Sequence, residues 1–161
     1  MALKADRYEE STDISHFYNE GVATRGGLVV LDAALASGAA MDQGVNLVKY
    51  AQAIATDVPV GVLLNDVVNK DLTRTHLNQY KDEVQKGGKV TVLTRGWVVT
   101  NNITGNPSPG DVAYLDETTA GNVVNGTDLG ATSGAMAVGR FMTNQDSDGY
   151  AKLYVNLPNL G

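Results

Sequence analysis

Cysteine is absent from the 161-residue chain, which removes disulfides, thiolate nucleophiles and cysteine-based zinc sites together. Positive charge is the scarcer sign: 12 Lys and Arg stand against 18 Asp and Glu, a formal net charge of −6. A chain that wraps nucleic acid needs several basic phosphate contacts, so none is expected as a partner of the whole molecule. The two histidines, His16 and His76, do not have the spacing of a zinc-binding helix. No run approaches the ~18 apolar residues of a membrane span. Met1 to Glu10 carries alternating charge where a secretory signal would be apolar. The expectation is a protein made and used in soluble, uncleaved form, with no membrane partner.

Glycine is plentiful, at 18 residues, and short apolar runs are punctuated by Gly, Asn and Asp. That composition predicts an all-β domain with frequent turns, a compact β-barrel or β-sandwich. The length suits one domain, or a domain plus an arm, and a domain of this size buries about 68–70% of its unfolded surface. Leu28-Val29-Val30-Leu31, behind Gly26-Gly27, has the continuous apolar character of a strand buried on both faces. Asn46 to Ala51, Val58 to Leu64, Asp111 to Asp116 and Gly121 to Val124 read as further strands, with Pro59 at a strand start. Residues 33–41 are irregular, because Ser37-Gly38 interrupts an alanine run after barely one turn.

Lys89 to Thr100 carries the strongest strand signal. Val90, Val92, Thr94, Gly96 and Val98 would face one way, and Thr91, Leu93, Arg95, Trp97 and Val99 the other. Gly96 marks a bulge or a close backbone approach. Ala137 to Met142 and Tyr150 to Leu157 form a hairpin around residues 144–149. Ala151, Leu153, Val155 and Leu157 would point inward, and Tyr150, Lys152, Tyr154 and Asn156 outward.

Two segments depart from this grammar. Residues 1–21 read as an extended N-terminal arm ahead of a domain at 22–161, because no alternation is sustained there. Tyr8, Ile14, Phe17 and Tyr18 lie within it. They either fold back on their own domain or anchor a neighbouring subunit, since aromatics dominate interface cores. On the anchoring reading, removal of residues 1–20 abolishes binding and leaves the β-domain folded. Residues 65–88 form a charged insertion. Leu77, Tyr80 and Val84 would share a helical face, while a long excursion loop fits equally well.

The residues that carry chemistry do not assemble into a reactive pattern. Asn144-Gln145-Asp146-Ser147-Asp148-Gly149 opens like a calcium loop, but its twelfth position is Val155 where a bidentate Glu is required. Asp and Gly at that spacing also make a tight hairpin turn, which leaves at most a weak calcium site completed by another chain. Gly26-Gly27 and Gly87-Gly88 lack the phosphate-loop pattern and precede strands. The carboxylates lie mostly in loops and turns, away from the sheltered cleft a glycosidase pair needs. Trp97, with Arg95 on the same face of its strand, packs in the core, or takes Arg95 on its ring, more readily than it stacks on sugar, and core packing is the expectation. No catalytic residue, cofactor site or metal site is assigned.

The later two-thirds of the chain resembles the small β-rich head decoration, or capsid cement, proteins of tailed phages. The resemblance is carried by Val58-Pro59-Val60-Gly61-Val62-Leu63-Leu64 and Gly88-Lys89-Val90-Thr91-Val92-Leu93-Thr94-Arg95-Gly96. It continues through Gly110-Asp111-Val112-Ala113-Tyr114-Leu115-Asp116, Gly121, Val138-Gly139-Arg140-Phe141, Asp148-Gly149-Tyr150 and Val155-Asn156-Leu157. It implies a non-enzymatic virion protein, made in the host cytoplasm, that binds the capsid exterior and bridges major capsid protein subunits. It also implies a homo-oligomer, a trimer by preference, to match the local symmetry of a shell. A carbohydrate- or receptor-binding β module on the virion is the alternative, and it requires an exposed aromatic platform.

Overall fold

Valine, leucine and threonine at alternate positions suit a pleated, half-buried surface, and that pattern sets the architecture. The computed structural model describes residues 3–33, 46–52, 56–66, 83–84, 86–129 and 135–157, and every regular element among them is a strand. In chain order these are β1 (Leu3–Asp13), β2 (Phe17–Tyr18), β3 (Ala23–Thr24), β4 (Leu28–Leu31), β5 (Leu47–Tyr50), β6 (Pro59–Asp66) and β7 (Glu83–Val84). They continue with β8 (Val90–Thr100), β9 (Ile103–Thr104), β10 (Val112–Leu115), β11 (Val123–Asn125), β12 (Ala137–Phe141) and β13 (Ala151–Asn156). The all-β expectation holds.

Eleven strands share one sheet, in the order β2-β5-β4-β6-β8-β13-β12-β10-β11-β9 with β1 laid on β8, while β3 and β7 pair separately. Among the described residues the path has two open ends, so the sheet they form does not close into a barrel. Its terminal strands, β2 and β9, are each 2 residues long and pair in parallel with β5 and β11. Edges this short offer little template for edge-to-edge aggregation.

β8 organises the sheet. β1 runs along residues 92–100 of β8, while β6 pairs with 90–93 and β13 with 95–100. A strand has only two edges, so β6 and β13 share the one opposite β1. The sheet therefore consists of two halves hinged on a single strand. Leu93 faces the main core from the first half and Val98 faces it from the second, although residues five apart in a regular strand point to opposite faces. A register irregularity between Leu93 and Gly96 resolves this, and Gly96 has φ 138. The bulge inferred from Gly96 is present, and it reverses the expected facing of the residues beyond it.

The main core lies between the halves and gathers Leu28, Val30, Val62, Leu64 and Leu93 with Val98, Leu115, Val138, Phe141, Leu153 and Val155. A second cluster, with Val29, Leu63, Val90 and Val92, covers the other face of the first half together with Tyr18, Ala23 and Val84. Leu28, Val29 and Val30 are each 0% exposed, as expected of a strand buried on both faces. Val84 lies in a strand paired with Ala23, which removes it from the helical face drawn through Leu77 and Tyr80. Those two residues, with the rest of 67–82 and most of the irregular 33–41, lie outside the described residues.

Buried polar groups hold the loops. Asp116 is 3% exposed. Burial acts to raise its pKa, but hydrogen bonds from Thr104 Oγ1, the Thr118 amide and the Thr118 hydroxyl outweigh it and hold the carboxyl below its ordinary 3.8. A carboxylate depressed on folding stabilises the protein above its unfolded pKa and loses that contribution as pH falls through the lower folded value. Thermal midpoints measured from about pH 5 down to about 2 are expected to fall less steeply in Asp116→Asn than in the parent chain, the difference opening below about pH 4.

Candidate functional site

The four side chains singled out near the N-terminus divide into two pairs. Tyr8 is 55% exposed and Ile14 53%, whereas Phe17 is 8% and Tyr18 1% exposed. Tyr18 packs in the second core cluster and meets Tyr50 edge-on, with ring centroids 5.9 Å apart. Phe17 and Tyr18 therefore fold back on their own domain, leaving Tyr8 and Ile14 as the outward pair. The arm is extended as expected, and it is built into the large sheet through β1 and β2. Removing residues 1–20 would excise Tyr18 from the core, so the domain would not survive that truncation intact.

The outer face of β1, β8, β13 and β12 brings together residues that sequence reading left scattered. Tyr8 lies directly opposite Trp97, Trp97 opposite Tyr154, and Tyr154 opposite Arg140. Directly opposed residues in antiparallel strands share a face, so these four form one row across four strands, at right angles to the chain direction. Trp97 and Tyr154 are half-buried, while Arg140 is exposed. Core packing of Trp97 is not what forms: it points away from the core, and the cation over its ring is Lys152, 3.6 Å from the centroid, in place of Arg95.

Cations and aromatics alternate along this face. Lys4 Nζ sits 4.2 Å from the Tyr150 ring centroid and 2.8 Å from Asp146 Oδ2. Arg95 Nε lies 3.3 Å from Glu10 Oε2, and the Tyr154 hydroxyl donates to the same oxygen at 3.5 Å. The Asp146 hydrogen bond raises the pKa of Lys4, and the Tyr154 contact, with Glu10 beside it, raises that of Arg95. Both contacts favour the charged forms of these side chains. Exposed pairs of this kind add little stability; their effect is to fix the side chains in place. Trp, Tyr and Arg are the residue types that carry most interface binding energy.

The calcium-like run folds as a turn. Asp146 Oδ1 accepts from the Asp148 amide at 3.0 Å and the Tyr150 amide at 2.8 Å, and the Asp146 amide donates to the Tyr150 carbonyl at 2.8 Å. Its other carboxylate oxygen is engaged by Lys4. Among the described residues no three His, Asp or Glu side chains gather as metal ligands would. His16 Nε2 lies 3.3 Å from Asp13 Oδ2, and His76 lies outside the described residues.

The chain matches the family described as structural cement protein (E217 gp24/Pam3 gp6) over residues 10–156. It belongs to this family of phage cement proteins. The family is structural, so this cement protein is not an enzyme and has a capsid-associated role in the virion. Among solved structures, a chain in "The capsid of Myoviridae Phage XM1" is similar in fold, with a TM-score of 0.50 and 19% identity over 97% of this chain and 84% of that one. No curated protein matches the sequence. The match starts inside β1 and spans all twelve later strands, so it covers the bulged β8 and both sheet halves.

The row itself was half-legible. Alternation along β13 places Lys152 and Tyr154 outward, and alternation along β8 puts Arg95 and Trp97 on one face. The pairing that sets them side by side depends on long-range register, which no local signal carries.

Proposed function

We propose that this cement protein binds the outer surface of a phage capsid and stabilises the shell by bridging neighbouring major capsid protein subunits. The family match over residues 10–156 carries this reading, and the aromatic and cationic face of β1, β8, β13 and β12 is the surface through which it acts. Ile14, exposed just past the end of β1, is a further proposed contact. A ligand that binds the assembled lattice but not separated subunits stabilises the lattice by mass action. Copies arranged as a homo-oligomer, a trimer by preference, engage several subunits at once and multiply a modest single-site affinity.

Trp97→Ala removes the centre of the row and leaves Lys152 without its ring. A hot-spot loss of about 2 kcal/mol corresponds to roughly 30-fold weaker binding. Cosedimentation of the purified variant with mature capsids measures this directly, with circular dichroism as the check that the fold is kept. Binding equal to that of the parent chain would remove this face from the account. Lys152 over Trp97 also covers one side of the indole, so the alternative carbohydrate-binding reading gains no support. Trp97 fluorescence is expected to stay constant on titration with glycans.

A further inference from the structure

β1 is 11 residues long, yet Leu3 is its one fully buried side chain, and residues 5–12 are exposed. Among the described strands only β8 pairs with it. The seat on β8 is nevertheless specific. A Cβ on Gly96 would collide with the Tyr8 carbonyl oxygen, so the glycine makes room for this strand at this register. Thr94 Oγ1 donates to the Ser11 carbonyl at 3.0 Å. Glu10 pairs with Arg95, and Lys4 with Asp146. Strand and seat are complementary in shape and in charge.

Residues 14–16 are the link between β1 and β2, and at its far end the His16 carbonyl accepts from the Val90 amide of β8 at 3.0 Å. The link holds Ile14 53% exposed, while His16 is 9% exposed with its Nδ1 lacking a hydrogen-bond partner among the described residues. The unmet Nδ1 carries the cost of a buried polar atom without a partner. A strand held by its own backbone ladder makes the same bonds on the β8 edge of any copy.

We propose that β1 is an exchangeable strand: in the assembled protein it leaves its own β8 and seats on the β8 edge of a second copy of this chain. The Leu3 socket, the Gly96 seat and the two ion pairs are all refilled by the neighbour's strand, so little is lost except the home tether. Exchange links copies through the backbone and places one copy's Tyr8 beside another's Trp97. The docking row is then completed between subunits. This deepens the homo-oligomer part of the proposed function, and its test uses no capsid, so its failure and a failure of capsid binding are separate results.

The chain contains no cysteine, so introduced thiols report without background. One preparation carries Tyr8→Cys and a mass tag, and a second, untagged, carries Trp97→Cys; the two positions are direct partners across the β1–β8 ladder. The preparations are mixed at high concentration, unfolded, refolded together and oxidised. Exchange predicts a disulfide-linked species of one tagged and one untagged chain, in excess over either homodimer, on a non-reducing gel. The double variant Tyr8→Cys/Trp97→Cys should then give linked multimers alongside closed monomer. Closed monomer alone from the double variant, with no mixed species from the singles, overturns the proposal. Ser11→Cys and Arg95→Cys, also direct partners and both exposed, repeat the test should loss of the indole impair folding.

Discussion

Phe141→Ala is expected to lower the unfolding free energy by about 3–5 kcal/mol. The ring is 0% exposed and sits on the inner face of β12, opposite Leu153, where both halves of the sheet contribute to one core. Its backbone is pinned as well, since the Phe141 amide donates to the Asp111 carbonyl at 2.8 Å and its carbonyl accepts from the Gly110 amide at 2.8 Å. The strand cannot move inward to fill the void, so the cavity persists and the loss falls in the upper part of the usual range. For a chain of this size each kcal/mol corresponds to about 2–4 °C. Urea and thermal unfolding monitored by circular dichroism measure the change. A loss under about 1 kcal/mol would mean that the two halves do not pack as described.

Gly96→Ala is expected to unseat β1 while the remainder of the sheet stays folded. The nearest atoms an alanine methyl would meet are the Tyr8 carbonyl and the Glu10 amide, all on β1. The backbone at φ 138 also disfavours any side chain, at about 1–3 kcal/mol. β1 adds little to the core, so its loss costs the domain far less than a core cavity. Hydrogen exchange followed by mass spectrometry should show protection vanishing across residues 3–13 and persisting across 151–156. Retained protection in 3–13 would contradict the seating of Tyr8 against Gly96.

Much of the fold was legible because it depends on local chemistry. The unbroken apolar run at Leu28–Leu31 encodes a strand covered on both sides, and the alternation from Ala151 to Leu157 encodes one covered on a single side. Gly96 disclosed its bulge through the conformational freedom only glycine has. Asp and Gly between 144 and 149 encode a turn, and the structure shows Asp146 capping it.

What stayed hidden depends on partners distant in sequence. β1 shows no alternation because little covers either face, so its strand character rests on the β8 ladder alone. Tyr18 looked like an arm residue because nothing local reveals that β5 lies beside it. β9 occupies a stretch rich in turn formers and is a strand only because Val123 and Val124 run parallel to it. The Tyr8–Trp97–Tyr154–Arg140 row needs three registers to be known together, and the bulge in β8 shifts one of them. Each residue of the row is ordinary by itself, and only pairing assembles them.

We propose that this protein works by covering a shell. Purified protein added to mature phage capsids stripped of their decoration, followed by cryo-electron microscopy, tests it most directly. Added density is expected on the outside of the capsid, spanning the boundary between major capsid protein subunits, with the Tyr8–Trp97 face turned toward the shell. Capsids that take up no protein, or density confined to the interior, would contradict it.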